Sequence, residues 1–250
     1  MNSENKQLIA NFLDIAGDFI GSGYKSEKKE YKFEDNSLQE EEKKSGNKYI
    51  DKEDITPVNA EIDTIEQVAN EIRICKKCSL GSTRTNAAPG EGSLIPIVMV
   101  IGEGPGEDED KQGRPFVGKA GQLLDKMLNS IGLARTTNTF IANVVKCRPQ
   151  NNRDPYPEET AACARFLERQ ITILKPRFIL VAGRVAAQTL LKTTEPIGKL
   201  RGRFTELTVG TSVYPLLVTY HPAALLRNED YKRPAWEDLK LLKSKIDNAG

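Results

Sequence analysis

Four cysteines and a single histidine are the residues of this sequence best suited to chemistry. Cys75-Lys76-Lys77-Cys78 is a C-x2-C pair, while Cys147 and Cys163 stand far downstream with 15 residues between them. A lone C-x2-C suits a redox dithiol or half a zinc site, and four-cysteine zinc sites usually show two tight pairs. Four thiolates hold Zn²⁺ or an iron–sulfur cluster equally well in charge terms. The spacing therefore indicates a metal centre and leaves the metal open. Its expected role is structural, since no nearby residue suggests an electron partner.

His221 stands third in the run Thr219-Tyr220-His221-Pro222-Ala223-Ala224-Leu225-Leu226-Arg227. A lone histidine is usually structural, but one placed just past an apolar, strand-like run is a functional candidate. Ser-His-Asp catalysis is not indicated, because no Gly-x-Ser-x-Gly elbow is present. Asn143 interrupts the apolar run from Phe140 to Val145, and a buried amide must find partners. It can read the edge of a base bidentately or satisfy a neighbouring loop, and both readings stand. Gly102-Glu103-Gly104-Pro105-Gly106-Glu107-Asp108-Glu109-Asp110, followed by Gly113 to Gly121, is a glycine-rich ligand loop. It lacks the Gly-Lys-Ser/Thr of a phosphate-binding P-loop, and its four clustered acids read as a solvated stretch before a metal site.

These candidates need a scaffold, and the apolar pattern supplies one. Ile97–Ile101, Phe140–Val145, Phe178–Ala182 and Pro215–Thr219 are short apolar runs of the kind buried on both faces of a sheet. Helical spacing lies between them, over 120–131, 157–174 and 184–191. A last helix is expected over 234–246, and Asp63 or Thr64 can cap one ending near Ile74. Alternating strands and helices imply the α/β class with a parallel sheet covered on both faces. Ligands in such sheets bind beyond the strands' carboxyl ends, which is where His221, Asn143 and the glycine loop fall.

The chain divides near residue 60. Residues 1–60 hold 9 Lys, no Arg and 13 acids, or −4, which leaves +5 for 61–250. The leader shows helical spacing from Lys6 to Ile20, then a Lys/Glu-rich stretch expected to be a disordered linker. It is a candidate for docking a protein partner. A mildly basic folded part suits a protein that meets phosphate backbones. No apolar run approaches the length needed to span a bilayer, and no signal peptide is recognised, so a cytoplasmic protein is expected, with a monomer the default because no oligomerisation surface can be identified.

Taken together, Cys75-x2-Cys78, Gly102-Glu-Gly-Pro-Gly-Glu-Asp-Glu-Asp, Gly113-Arg-Pro-Phe-Val-Gly-Lys-Ala-Gly, Asn143-Val-Val-Lys-Cys147-Arg-Pro, Cys163 and His221-Pro-Ala-Ala-Leu-Leu-Arg resemble the family 4 uracil-DNA glycosylases. The likeness runs from about residue 65 to 246, and residues 1–60 have no counterpart in it. It implies a three-layer α/β/α sandwich around a four-stranded, mainly parallel sheet. It implies a structural 4Fe-4S cluster on Cys75, Cys78, Cys147 and Cys163. The implied substrate is uracil-containing DNA, with the base flipped out of the stack because its glycosidic bond cannot be reached inside it.

By the same resemblance, Phe116 stacks on the uracil ring, and Asn143 reads its O4 and N3–H. Glu109 lies near C5, the backbone around Gly104 bonds to the base, and His221 donates to O2. Family 1 relatives place an Asp directly before the Pro of the first loop to assist water attack. Gly104 stands there in this chain, so Glu103 is the nearest carboxylate for that role. Leu225 and Leu226 take the place of the DNA-intercalating wedge, with Arg227 on a phosphate. Lys146, Arg148, Arg201 and Arg203 are further phosphate candidates. A cluster-bearing branch that traps DNA through a histidine in an Arg-rich loop is not matched, so turnover is expected. The alternatives are a non-catalytic iron–sulfur DNA-binding protein, which would need neither His221 nor Asn143, and a zinc-bound α/β hydrolase acting on another nucleoside.

Overall fold

The computed structural model describes residues 63–249, so the expectations for the leader lie outside the described residues. Helix α1 (Ile65–Ile74) begins where Thr64 Oγ1 accepts from Gln67 N at 3.2 Å and Thr64 N donates to Gln67 Oε1 at 2.8 Å. This reciprocal capping satisfies two of the donors that a helix start leaves open. The helix buries Val68, Ala69 and Ile72, then gives way to extended backbone at Cys75.

A six-stranded sheet forms the middle layer. Its strands are β1 (Glu91–Gly92), β2 (Val98–Gly102), β3 (Thr139–Asn143), β4 (Phe178–Ala182), β5 (Phe204–Val209) and β6 (Ser212–Thr219), in the order β1-β3-β2-β4-β6-β5. The four apolar runs of the sequence are its parallel centre, β3-β2-β4-β6. The sheet is wider than the four strands expected, because an antiparallel edge strand closes each side. Two-residue β1 is too short to carry a periodic pattern, and β5 buries only Leu207 fully. Neither shows the continuous apolar signal of a central strand.

Successive residues of a strand face opposite sides. Met99, Ile101, Ile179 and Val181 join a core layer with α1, α5 (Pro157–Leu174) and α6 (Arg184–Leu191). Val98, Val100, Leu180 and Leu217 join the opposite layer with α4 (Lys119–Asn129), α8 (Pro222–Arg227) and α9 (Lys232–Asp247). Short helices α2 (Leu80–Thr83), α3 (Glu107–Gln112) and α7 (Ile197–Leu200) complete the three-layer α/β/α sandwich. No helix among the described residues is long and apolar enough to cross a membrane.

Strand register decides which loops meet. Gly102 pairs with Asn143, and Ala182 with Thr219, so β2, β3, β4 and β6 end together. Chain connections leave β2 to opposite sides, towards β3 and then β4, which makes its carboxyl end the topological switch point.

Candidate active site

At that switch point lies a cavity of about 540 Å³, within the usual range for small-molecule sites. Glu103, Gly104, Glu109, Phe116, Asn143 and His221 all line it, as does Arg227. Residues from four separate stretches of sequence therefore meet in one place. Asp154, Arg184, Tyr220 and Tyr231 also line it, and nothing in the sequence pattern marked them out.

Phe116 is held by its surroundings in an unfavourable backbone shape. Its φ is +53°, a left-handed conformation that costs a bulky residue about 1–3 kcal/mol. Glu109 Oε1 accepts from Val117 N at 2.8 Å and Gly118 N at 2.9 Å, while Oε2 accepts from Gly106 N at 3.1 Å. That carboxylate thus ties the start of α3 to the loop presenting the ring. Glycines let the parts close up: a Cβ on Gly121 would stand 1.9 Å from Phe116 O. One on Gly102 would stand 2.5 Å from both the Phe116 ring and Asn143 Oδ1. The Phe116 ring lies 5.4 Å from that of His221, tilted by 30°.

Asn143 is 1% exposed, and its Oδ1 is the one buried side-chain oxygen or nitrogen among the described residues without a hydrogen-bond partner. Such an orphan costs about 1–3 kcal/mol, and native structures rarely leave one without a reason. The residue borders the cavity, so this orphan acceptor lies beside the space that a ligand would fill.

His221 is the N-cap of α8, and its Nδ1 accepts from Ala223 N at 3.2 Å. With Nδ1 an acceptor, the proton of the neutral ring belongs on Nε2. Burial lowers its pKa to about 4, helped by the charge of Arg227 and opposed by Glu109. At neutral pH the ring is therefore an uncharged donor. Gly183, at φ +101°, packs so closely that a Cβ there would lie 3.0 Å from His221 Cβ.

Glu103 follows β2 directly, and its carbonyl accepts from Val145 N at 3.0 Å. Burial pushes its carboxyl up to about 7, with Asp154 adding to the rise and Arg184 opposing it. Arg184 is itself committed to Asp154, Nη2 to Oδ2 at 2.6 Å.

On the face of the sheet that packs α1 and α5, all four cysteines line one small cavity, with Ile72, Lys146 and Phe166 among its other walls. Burial raises the Cys147 thiol above its ordinary range and pushes Cys163 up to about 11. Bare thiols at Cys147 and Cys163 would stay protonated, so thiolates at these two positions need a positive partner. Arg84 Nη1 donates to Cys147 Sγ at 2.8 Å and to Ile72 O at 3.1 Å. Among the described residues, no three Cys, His, Asp or Glu side chains are arranged as ligands of a single ion.

Three expectations about DNA contacts need correction. Leu225 is 3% exposed and belongs to the core under the sheet, so only Leu226, at 52%, is placed to meet a partner. Lys146 is 1% exposed, and its Nζ donates to Asn143 O at 2.8 Å and Gln170 Oε1 at 2.7 Å. It braces the end of β3 and cannot reach a phosphate. Arg201 is likewise committed, to Asp238 at 2.6 Å and 3.0 Å. Arg203 and Arg227 are exposed, while Arg148 is partly buried and bonded to Asn152 at 2.8 Å.

Comparisons with known proteins give the family. The model of the uracil DNA glycosylase superfamily matches residues 89–240. A type-4 uracil-DNA glycosylase of Saccharolobus solfataricus is 45% identical over 192 residues, covering 74% of this chain and 88% of its own. One of Sulfurisphaera tokodaii is 43% identical over 187 residues, 73% of this chain and 84% of its own. One of Thermotoga maritima is 43% identical over 191 residues, 75% of this chain and 97% of its own. The chain therefore belongs to the uracil DNA glycosylase superfamily, in its type-4 branch.

Proposed function

We propose that this protein excises uracil from DNA by hydrolysing the N-glycosidic bond, leaving an abasic site and so initiating base excision repair. The observation that carries this reading is the buried, unpartnered Oδ1 of Asn143, a residue that lines the cavity together with Phe116 and His221. Uracil presents an N3–H donor beside an O4 acceptor, which match the carboxamide's oxygen and nitrogen. Cytosine presents an acceptor at N3, which would face Oδ1 lone pair to lone pair.

The rest of the wall fits a flipped pyrimidine. Phe116 supplies a stacking face, the backbone near Gly104 supplies polar contacts, and Glu109 stands where a C5 methyl would intrude. Since both Glu109 oxygens are already bonded to backbone, thymine is excluded by a fixed wall. His221 Nε2–H donates to O2 as negative charge gathers on the departing base, and a neutral donor poised in a dry site needs no reorganisation. The sugar turns cationic as the bond breaks. Glu103, as a carboxylate, stabilises that charge and orients the attacking water at C1′. Outside the cavity, Leu226 fills the gap left by the base, and Arg227, on the cavity wall, takes a phosphate.

Glu103 gives the reaction a pH signature. Its pKa of about 7 lies well above the ordinary 4.5, so the active carboxylate accumulates only as pH rises through neutrality. Single-turnover excision should therefore climb across pH 6–8, bracketing that value, and the climb should vanish in Glu103→Gln. His221, at about 4, should add no further limb in that window. A flat wild-type profile would remove Glu103 from the mechanism.

The four cysteines suit a 4Fe-4S cluster, and the converging thiols with Arg84 on Cys147 Sγ support that fit. Held there, a cluster would cross-link the segment after α1, the loop after β3 and α5, all on one face of the sheet, and would supply no group to the hydrolysis. Cys147→Ser should lose the brown colour and most of the bound iron, and should melt at lower temperature. A colourless wild-type protein containing zinc would overturn the assignment. Release of free uracil from a uracil-containing oligonucleotide is the direct test of the whole reading.

A further inference from the structure

We propose that Arg135, which does not line the cavity, is the positioning residue that sets the Phe116 ring for stacking by clamping the backbone that carries it. This rests on the uracil reading of the site. Arg135 lies between α4 and β3, with its side chain 14% exposed. Its Nη2 donates to Phe116 O at 2.8 Å and its Nη1 to Pro115 O at 3.1 Å. The remaining donors are held by carboxylates. Nε and Nη2 bond to Asp125 Oδ1 at 2.9 and 2.8 Å, and Nη1 pairs with Glu91.

Glu91 extends the clamp. It accepts from Arg114 Nε at 2.7 Å and Nη2 at 3.0 Å, so Arg114, Pro115 and Phe116 are all tied to one network. Glu91 sits on β1, the two-residue edge strand whose pairing with β3 brings this carboxylate alongside Arg135. Glu109 grips the next two amides, Val117 N and Gly118 N. The peptides flanking Phe116 are thus fixed from two sides, Arg135 holding carbonyls and Glu109 holding N–H groups. A left-handed φ at a bulky residue persists only when its surroundings over-determine it, and this pair of clamps does so. The planar five-donor fork of arginine is what allows one side chain to bond two carbonyls and two carboxylates; an ammonium cannot.

The test uses the full-length protein and its Arg135→Ala and Arg135→Lys variants, in wild-type and Phe116→Gly backgrounds. Amide hydrogen exchange over residues 114–121 reports the order of the loop, independently of activity. Single-turnover uracil release reports the placement of the ring. In the wild-type background, exchange at 114–121 should rise while the sheet stays protected, and uracil release should fall about 10–10²-fold, as for a misplaced catalytic group. Arg135→Lys should lie near Arg135→Ala. In Phe116→Gly, which has no ring and accepts a positive φ freely, Arg135→Ala should change release by no more than about twofold. Unchanged exchange in Arg135→Ala, or the same fold loss in both backgrounds, would overturn the proposal. A wild-type protein that releases no uracil would sink the glycosylase reading instead, and exchange alone would then decide whether Arg135 holds the loop.

Discussion

Replacing His221 by Ala should lower single-turnover uracil excision by about 10²–10³-fold, the usual cost of removing one donor aimed at developing negative charge. The size of the effect comes from how this imidazole is held. Ala223 N occupies Nδ1, so the remaining proton is on Nε2. Burial keeps the ring neutral down to about pH 4, so it donates without adding a charge that the free site would have to desolvate. His221 is also a helix cap, and loss of a cap acceptor costs about 1 kcal/mol. A modest fall in melting temperature is therefore expected in the Ala variant. His221→Asn restores a cap acceptor and should recover that stability but little of the rate. Equal recovery of rate and stability would mean that the histidine acts through the fold and not through the base.

Asn143→Ala should lower uracil excision by about 10²–10⁴-fold, because two polar groups of the base lose their partners, each costing about 1–3 kcal/mol when buried. Stability should move the other way or not at all. In the free protein Oδ1 has no partner, so deleting it removes an uncompensated desolvation cost, and the side chain borders an existing cavity. Most buried substitutions destabilise. A variant that loses activity while keeping or gaining melting temperature would mark Asn143 as a group held ready for a ligand. A loss of several kcal/mol in stability would instead mark it as a structural amide, whatever happened to the rate.

These residues were legible in the sequence to different degrees, for physical reasons. Continuous apolar runs disclosed β2, β3, β4 and β6, because a central parallel strand is buried on both faces. Shared carboxyl ends then placed the glycine loop, Asn143 and His221 together. The edge strands were hidden, β1 by its length and β5 by its half-exposed face. Leu225 and Leu226 could not be told apart, since six-residue α8 is too short for its periodicity to say which leucine faces the core. Lys146 has the charge of a phosphate contact, but its partners are Gln170 and the Asn143 carbonyl, and both contacts depend on the folded arrangement. Arg135 and Glu91 carried no local signal at all. Their meaning lies in a network joining residues 91, 114–116, 125 and 135, which only the fold assembles.

The most direct test incubates the full-length protein with an oligonucleotide containing one uracil, beside matched strands with cytosine or thymine, and identifies the released base by mass spectrometry. Wild-type protein should release free uracil, leave an alkali-labile abasic site, and spare the other two strands. The His221→Ala, Asn143→Ala double variant should stay folded and release nothing measurable. A folded, brown wild-type protein that binds the uracil strand without releasing the base would contradict the account, and would leave an iron–sulfur DNA-binding protein in its place.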